Sequence, residues 1–185
     1  MPRYDADWID SMLKEARRGA PPAEDTLREI GLQRGEVIAD VGCGPGFFTI
    51  PALRVVSPSG WVHALDREPS MLSLVQQQAS EEGLDHLQTH LVESEGIPLA
   101  NAVADLTICS LLLHDLDQRE SFVTELARIT RPLGRIAIIE WVPEPSETRK
   151  NRLSPELTAI LIERTGRKVQ INRQIGPLQY LVVAQ

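Results

Sequence analysis

The sequence predicts one α/β domain with a mostly parallel sheet, and three observations lead to this fold class. Apolar runs rich in β-branched residues alternate five times with amphipathic stretches, which is the pattern of βαβ units. Two final apolar segments flank Gly176-Pro177, and they predict a hairpin that adds one antiparallel strand. The chain has 185 residues, enough for one domain with its own core and too few for two ordinary ones.

The elements follow from boundary signals read in chain order. An amphipathic helix is predicted at residues 8–17, Pro21-Pro22 interrupts the chain, and a short helix predicted at 24–30 ends at Gly31. Strands are predicted at 37–41, 61–65, 87–92, 106–110, 135–140, 169–174 and 179–183. Helices are predicted at 47–56 (with a kink at Pro51), 68–82 (ended by Gly83), 121–130 and 156–164. A turn at 131–134 leads into the fifth strand, and the proline-rich loop at 143–155 is long enough to be functional.

The composition excludes several classes of function. The formal net charge is −7 without a Lys/Arg cluster, which argues against nucleic acid, since such binders neutralise phosphates with basic residues. The first residues lack the apolar region of a signal peptide, and no apolar run approaches the roughly 20 residues of a membrane helix. Cys43 and Cys109 have neither a metal-ligand nor a disulfide spacing. We therefore expect a cytoplasmic chain with a small-molecule partner and no membrane contact.

The densest motif is the loop Asp40-Val41-Gly42-Cys43-Gly44-Pro45-Gly46, between the first predicted strand and the next helix. Glycines at alternate positions allow a sharp turn and the close approach of a ligand. Ligands of open α/β sheets bind at the carboxyl ends of the strands, where this loop lies. A nicotinamide dinucleotide motif would have a third glycine where Phe47 stands, and a P-loop would have a Lys. A tight turn without a ligand is the alternative.

Asp66 is the second candidate binding residue. It ends the second predicted strand about 20 residues after the last glycine, where a carboxylate can accept both hydroxyls of a ribose. A ribose of either a nicotinamide cofactor or S-adenosylmethionine is compatible with this position. Alternatively, Asp66 complements the dipole of the helix that follows it.

These motifs resemble those of class I S-adenosylmethionine-dependent methyltransferases, particularly the small-molecule subgroup of the ubiquinone/menaquinone type (methyltransferase domain 11/25-like). The segments that carry the resemblance are 40–46, Leu65-Asp66, 92–99, 104–108 and 125–135, and the likeness extends from about residue 27 to 185. It implies a Rossmann-like three-layer sandwich whose seven strands have the order 3-2-1-4-5-7-6, with strand seven antiparallel. It also implies S-adenosyl-L-methionine as cofactor and S-adenosyl-L-homocysteine as product.

The resemblance assigns roles to particular residues. The glycine loop would face the methionine part of the cofactor with Asp40 beneath it, Asp66 would hold the ribose, and Glu93 would accept from the adenine amino group. The implied cofactor contacts are Asp40, Gly42, Cys43, Gly44, Gly46, Asp66, Arg67, Glu93, Ser94, Ser110 and Leu111. The chain departs from the family pattern at Glu93, where Asp is usual, at Val92, which replaces Gly, and at Leu133-Gly134, which replaces Gly-Gly.

Two residues are candidates for a catalytic role. Transfer of a methyl group is an in-line displacement, so holding the reactants in line supplies much of the catalysis, and a base helps when the acceptor must lose a proton. His114, just after the fourth strand, is either this base or a histidine hydrogen-bonded to Asp115 or Asp117. Glu140, at the end of the fifth strand, either points into the site or is a solvated acid. Trp141 lines an acceptor pocket or caps the sheet.

The remaining candidates have structural interpretations. Cys43 and Cys109 are expected to be small, buried, core-filling thiols. His63, His86 and His90 show no metal partner along the sequence, so no metal site is predicted. The N-terminal segment, residues 1–30, contributes a lid over the cofactor, a contact in a homodimer or plain packing.

The sequence thus predicts methyl transfer from S-adenosylmethionine to a small-molecule acceptor. Two alternatives stay open at this point: a nicotinamide-dependent oxidoreductase, and a module that binds S-adenosylmethionine without catalytic activity. The acceptor is not identified, and the N-terminal helices and the loop at 143–155 are the segments available to select it.

Overall fold

A seven-stranded sheet organises the chain. The computed structural model describes Ser11, Lys14 and residues 19–93, 96–143 and 151–185. The strands are β1 (Val37–Val41), β2 (Trp61–Asp66), β3 (Leu87–Leu91), β4 (Ala104–Ser110), β5 (Thr130–Trp141), β6 (Val169–Gln174) and β7 (Gln179–Ala184). Their order is β3-β2-β1-β4-β5-β7-β6, and β7 is antiparallel to both of its neighbours. The predicted strand order and the antiparallel strand are confirmed.

The helices in the described part of the chain are α1 (Ala23–Ile30), α2 (Thr49–Val56), α3 (Pro69–Glu81), α4 (Arg119–Ile129) and α5 (Pro155–Glu163), with a 3₁₀ turn at Leu113–Asp115. Gly31 ends α1 in the left-handed conformation, as predicted. The helix predicted at 8–17 lies, apart from Ser11 and Lys14, outside the described residues, as does 144–150 of the predicted loop. No helix among the described residues is long and apolar enough to cross a membrane.

Two of the sequence-based boundaries that differ from the structure have a clear physical reason. The helix predicted from residue 47 begins at Thr49, which places Pro51 in the first helical turn, where proline does not kink a helix. The turn predicted at 131–134 belongs to β5, which starts at Thr130 with a register shift against β4. Gly134 permits this, because a Cβ there would lie 2.9 Å from the carbonyl oxygen of Asp105. The neighbouring Leu133 is 84% exposed and does not contribute to the core.

The helices form layers on both faces of the sheet. On one face α1, α2 and α3 pack against a core that includes Ile38, Val62 and Ala64. On the other face α4 and α5 cover a core that includes Ala39 and Leu65. Alternate residues of β1 and β2 therefore enter different cores, as the period of two in a strand requires. The result is the predicted three-layer sandwich.

The sheet brings four strand ends to one edge. Val41 at the end of β1 is in register with Leu65 of β2 and Cys109 of β4, and Ser110 of β4 is in register with Ile139 of β5. Strand order reverses between β1 and β4, which is where open α/β sheets bind ligands. The segments that follow β1, β2, β3 and β4 therefore surround one site.

Candidate cofactor and acceptor site

The glycine loop after β1 has no room for side chains at two positions. Gly42 has φ +76°, and a Cβ there would lie 2.6 Å from Cδ2 of Leu112. Gly46 has φ +91°, and its Cβ would lie 3.1 Å from Val75 of α3. The N–H groups of Gly42 and Cys43 both donate to the carbonyl oxygen of Leu65, at 2.8 and 2.9 Å. These bonds and contacts hold the loop tightly against β2 and α3.

Asp66 joins this loop to the start of α3. Its Oδ2 accepts a hydrogen bond from the N–H of Gly44 at 2.8 Å, and its Oδ1 accepts one from the N–H of Glu68 at 3.0 Å. Each carboxylate oxygen has about two lone-pair sites, so both oxygens retain capacity for another donor such as a ribose hydroxyl. The bond to Glu68 favours the helix interpretation of Asp66, and it is compatible with the ribose interpretation.

Asp40 lies beneath the loop and is 2% exposed. Its Oδ2 accepts a hydrogen bond from the hydroxyl of Thr49, the first residue of α2, at 2.6 Å. Burial raises the pKa of Asp40 to about 6 from an ordinary 3.8, the hydrogen bond from Thr49 opposes this rise, and the charge of Asp66 adds to it. A cationic amino group of a ligand next to Asp40 would favour the ionised carboxylate.

A cavity of about 490 Å³ opens at this edge of the sheet. Four of the predicted cofactor residues line it: Gly42, Asp66, Arg67 and Glu93. The other described ones, namely Asp40, Cys43, Gly44, Gly46, Ser110 and Leu111, lie in the loop or strand ends around the cavity without being among its lining residues. Ser94 lies outside the described residues. The volume is within the usual range for small-molecule and cofactor sites.

About half of the residues that line this cavity were not predicted from the sequence. Apolar side chains of Ile97, Leu112, Leu116 and Phe122 line it together with Asp115, Asp117, Gln118 and Ser121. Most of them belong to the segment between β4 and α4, whose pattern of apolar residues also suits packing against the sheet. The apolar part and the carboxylates of Asp66 and Glu93 suit a flat ring attached to a hydroxylated sugar.

The two cysteines are buried, unpaired thiols. Burial is the main cause that raises the pKa of both Cys43 and Cys109 above the ordinary range, and nearby carboxylates add to it. Neither side chain is therefore a ready thiolate, in agreement with the core-filling role expected of them.

Leu111 is held in an uncommon backbone conformation directly after β4. Its φ is +52°, in the left-handed region that L-residues other than Asn and Asp rarely adopt, and its N–H donates to the carbonyl oxygen of Ile139 at 2.9 Å. A conformation of this kind costs of the order of 1–3 kcal/mol and is common at functional sites. It turns the chain so that Leu112 reaches the glycine loop and the 3₁₀ turn begins.

The structure brings the two catalytic candidates together. Nδ1 of His114 lies 2.9 Å from Oε2 of Glu140, and the backbone N–H of His114 donates to Oε1 of Glu140 at 3.2 Å. The N–H of Trp141 also donates to Oε2, at 3.1 Å. Glu140 is 1% exposed, so its interpretation as a solvated acid is wrong. His114 is paired mainly with Glu140, although Nε2 also lies 3.6 Å from Oδ1 of Asp115.

The surroundings of His114 determine its protonation. An ionised carboxylate can only accept, so Glu140 requires a proton on Nδ1 of His114, and the neutral ring then carries its lone pair on Nε2. Burial lowers the pKa of His114 and Arg152 also lowers it. The hydrogen bond and charge of Glu140, with the charge of Asp115, outweigh them and raise the pKa above its ordinary value. The side chain is 20% exposed, and neither His114 nor Glu140 is among the residues that line the cavity. Nε2 lies on the side of Asp115, which does line it.

Trp141 is buried at the end of β5 beneath the guanidinium of Arg152, which lies 5.3 Å from the ring centroid. This arrangement favours the interpretation of Trp141 as a residue that caps the sheet.

The other three histidines lie on or beside strands β2 and β3. His63 of β2 and His90 of β3 are hydrogen-bonded to each other, which periodicity alone did not indicate, whereas the ring of His86 packs edge-on against Trp61. No group of three or more His, Cys, Asp or Glu side chains within the described residues is arranged to hold a metal ion.

The comparisons with known proteins agree with this geometry. Residues 39–138, more than half of the chain, match a family model described as "Methyltransferase domain". A solved structure, an S-adenosylmethionine-dependent methyltransferase from Aquifex aeolicus, superposes with a TM-score of 0.85 at 25% identity and with 98% of each chain covered. The resemblance read from the sequence motifs is confirmed.

Curated relatives match about three quarters of the chain. Over 138 residues it is 28% identical to a demethylmenaquinone methyltransferase of Halalkalibacterium halodurans, covering 75% of this chain and 55% of the relative. Over 143 residues it is 28% identical to a nocamycin O-methyltransferase of Saccharothrix syringae, covering 77% of this chain and 49% of the relative. The chain thus spans about half the length of these two relatives.

Proposed function

The chain belongs to the methyltransferase domain family, and we propose that it transfers a methyl group from S-adenosylmethionine to a small-molecule acceptor by in-line displacement. The observation that carries the proposal is the cavity at the ends of β1 to β4. There a glycine loop with no room for a side chain at Gly42 or Gly46 lies next to Asp66, whose carboxylate has capacity for a ribose. Bound S-adenosylmethionine supplies a methyl group on a sulfonium, which is electrophilic without further activation.

The residues of the cavity would hold the cofactor by distinct interactions. Asp66 accepts the ribose hydroxyls while it keeps its bonds to Gly44 and Glu68. Glu93 is exposed at the mouth of the cavity, where its carboxylate can accept from the adenine amino group. Ile97 and Phe122 offer apolar surface to the adenine ring. Asp40 supports the loop from below and offers a negative charge toward the methionine amino group.

The same residues would keep the methyl group in line with the acceptor. Orientation of this kind converts a bimolecular step into one with a high effective concentration, and it is worth several kcal/mol of activation free energy. Leu112 lies next to Gly42 of the glycine loop and lines the cavity. His114 is two residues further along the same segment, so this segment connects the cofactor cavity to the proposed base.

His114 is proposed as the general base, with Glu140 as a positioning residue. Glu140 fixes the ring with Nδ1 protonated, which leaves Nε2 to take a proton from the acceptor. The backbone N–H groups of His114 and Trp141 orient the carboxylate of Glu140 toward the ring, so that its charge stabilises the imidazolium that forms. The acceptor then belongs to the class that loses a proton on methylation, such as a weakly acidic hydroxyl or an activated carbon next to one.

The proposal includes partners and location. The two buried, unpaired thiols fit a reducing compartment, which supports the cytoplasm. The net charge of −7 supports a small-molecule partner rather than nucleic acid. A homodimer is part of the proposal too, and the mass of the protein in solution tests it.

A methyl-transfer screen tests the function. The protein is incubated with S-adenosylmethionine carrying a labelled methyl group and with panels of phenols, quinols, enols and tertiary amines. We expect label in acceptors that have an ionisable hydroxyl, and a loss of about 10²–10⁴-fold in rate for His114→Gln with these acceptors. Cofactor binding without labelling of any acceptor would favour a binding module, and labelling of a hydroxyl acceptor at an unchanged rate in His114→Gln would contradict the base.

A further inference from the structure

Two histidines on the neighbouring strands β2 and β3 lie next to each other, outside the proposed methyl-transfer site. Nδ1 of His63 in β2 and Nε2 of His90 in β3 are 3.0 Å apart, and their ring planes are tilted by 44°. Both side chains are half-buried. Val62 and Ala64 of β2 enter the core under α2 and α3, so His63 projects from the opposite face of the sheet, where it meets His90.

We propose that His63 and His90 form a binding site for a divalent transition metal ion that prefers ligands at right angles, such as Ni²⁺ or Cu²⁺. The side chains contribute two imidazole nitrogens, and water completes the coordination because the pair is partly open to solvent. The site is independent of the methyl-transfer proposal.

The separation of the two nitrogens supports this choice of metal. With metal–nitrogen bonds of about 2.0–2.1 Å, nitrogens 3.0 Å apart subtend an angle of about 95° at the metal. This angle is close to that between neighbouring ligands in a square-planar or tetragonal site, which Cu²⁺ and Ni²⁺ favour. A tetrahedral Zn²⁺ site needs nitrogens about 3.3 Å apart, so the present separation is closer to that of a right-angled site.

Both rings can supply a lone pair at neutral pH. Burial lowers the pKa of His63 and of His90, and the proximity of His90 lowers that of His63 further, so both rings are neutral. In the hydrogen-bonded pair one of the facing nitrogens carries a proton. Metal binding requires that this ring moves its proton to its outer nitrogen, Nε2 of His63 or Nδ1 of His90, so no net proton is released.

The rings can also turn toward a shared ion at low cost. Within the described residues, the bond between them is the one hydrogen bond that either ring makes, so turning breaks no other bond. The terminal torsion of a histidine has a broad energy profile, which permits the two lone pairs to converge. The buried thiols do not compete for the ion, since burial keeps Cys43 and Cys109 protonated.

The position of the pair relates it to the cofactor cavity. Leu65 is two residues after His63 on the same face of the sheet, and Val92 is two residues after His90. Both Leu65 and Val92 line the cavity. A metal ion bound by the two histidines would therefore lie two residues along each strand from the residues that line the cavity.

Metal titration tests the proposal. The protein is titrated with Ni²⁺ by calorimetry and with Cu²⁺ by electron paramagnetic resonance, and His63→Asn and His90→Asn are compared with His86→Asn as the matched control. We expect one site with two coordinated imidazole nitrogens. Either of the first two substitutions should weaken binding at least tenfold and remove one nitrogen from the copper spectrum, whereas the control should bind like the parent protein.

A second measurement needs no variant. The chain has four histidines, so their ring signals can be assigned by NMR, and paramagnetic Ni²⁺ should broaden those of His63 and His90 before those of His86 and His114. Unchanged affinity in both His63→Asn and His90→Asn, uniform broadening of all four rings, or Zn²⁺ bound at the pair as tightly as Ni²⁺ would overturn the proposal.

Discussion

Nδ1 of His114 and Oε2 of Glu140 lie 2.9 Å apart and join the segment after β4 to the end of β5. The carboxylate is nearly inaccessible to solvent and receives two backbone N–H groups besides the ring. Its orientation is therefore defined by three donors, and the ring that it holds has one defined neutral tautomer. This relationship is the basis for assigning a base to the proposed reaction.

Glu140→Gln should separate a positioning role from a purely structural one. The neutral amide removes the charge that raises the pKa of His114, so the acidic limb of the profile of kcat/KM against pH should move to lower pH. The rate with a hydroxyl acceptor should fall by about 10²-fold or more. Binding of S-adenosylhomocysteine should not change.

The control for this experiment is Glu120→Gln, which alters an exposed ion pair with Arg164. It should leave both the rate and the pH profile unchanged. An unaltered pH profile in Glu140→Gln, with a folded protein, would contradict the assignment.

Asp66→Asn should weaken cofactor binding strongly. Charged hydrogen bonds are worth roughly 1.5–3 kcal/mol, which corresponds to a rise of about 10–100-fold in the Kd of S-adenosylhomocysteine. Asp85→Asn, at an exposed position before β3, is the matched control and should bind like the parent protein. Calorimetry provides the measurement. Equal affinities of the two variants for S-adenosylhomocysteine would show that Asp66 does not bind the cofactor.

Asp40 should make stability depend on pH in a defined direction. Its pKa is about 6 in the folded chain and near 3.8 when unfolded, so the folded state binds more protons between these values. Stability due to this group is fully present below about pH 4 and is lost as pH rises through 6, a change of the order of 3 kcal/mol.

Asp40→Asn stays neutral at every pH and tests this sign. The free energy of unfolding of the variant minus that of the parent protein should be larger at pH 8 than at pH 4.5. Urea denaturation at both pH values measures this difference. A difference between the two proteins that does not vary with pH would show that Asp40 does not titrate in this window.

Gly42→Ala and Gly83→Ala distinguish lack of space from backbone strain. Both glycines have positive φ, +76° and +66°, but a Cβ at position 42 would meet Leu112 whereas one at position 83 meets nothing within 4 Å. We expect Gly83→Ala to cost about 1 kcal/mol and Gly42→Ala about 1–3 kcal/mol of unfolding free energy. Gly42→Ala alone should weaken cofactor binding, because Leu112 lines the cavity.

The fold could be predicted because local signals mark its boundaries. Gly31 ends α1, Asp66 ends β2, and Gly176-Pro177 lies between the hairpin strands, so the order of elements follows from the sequence. The start of β5 at Thr130 was not predicted because it depends on a tertiary contact, the packing of Gly134 against the backbone of β4. In the sequence, Arg131-Pro132 instead indicates a turn.

The site was predicted less completely for a similar reason. The loop glycines and Asp66 carry a recognisable spacing, whereas the burial of Glu140 results from the 3₁₀ turn and β7 closing around it. The pairing of His63 with His90 depends on the register of two parallel strands, in which Leu65 rather than His63 is opposite His90. Periodicity assigns a residue to a face of a strand and does not specify that register.

Calorimetric titration of the chain with S-adenosylhomocysteine and with NAD tests the central claim most directly. We expect S-adenosylhomocysteine to bind with a Kd of the order of micromolar and NAD not to bind comparably, because Phe47 occupies the position of the third dinucleotide glycine. Tight binding of NAD, or no binding of S-adenosylhomocysteine to the folded protein, would contradict it.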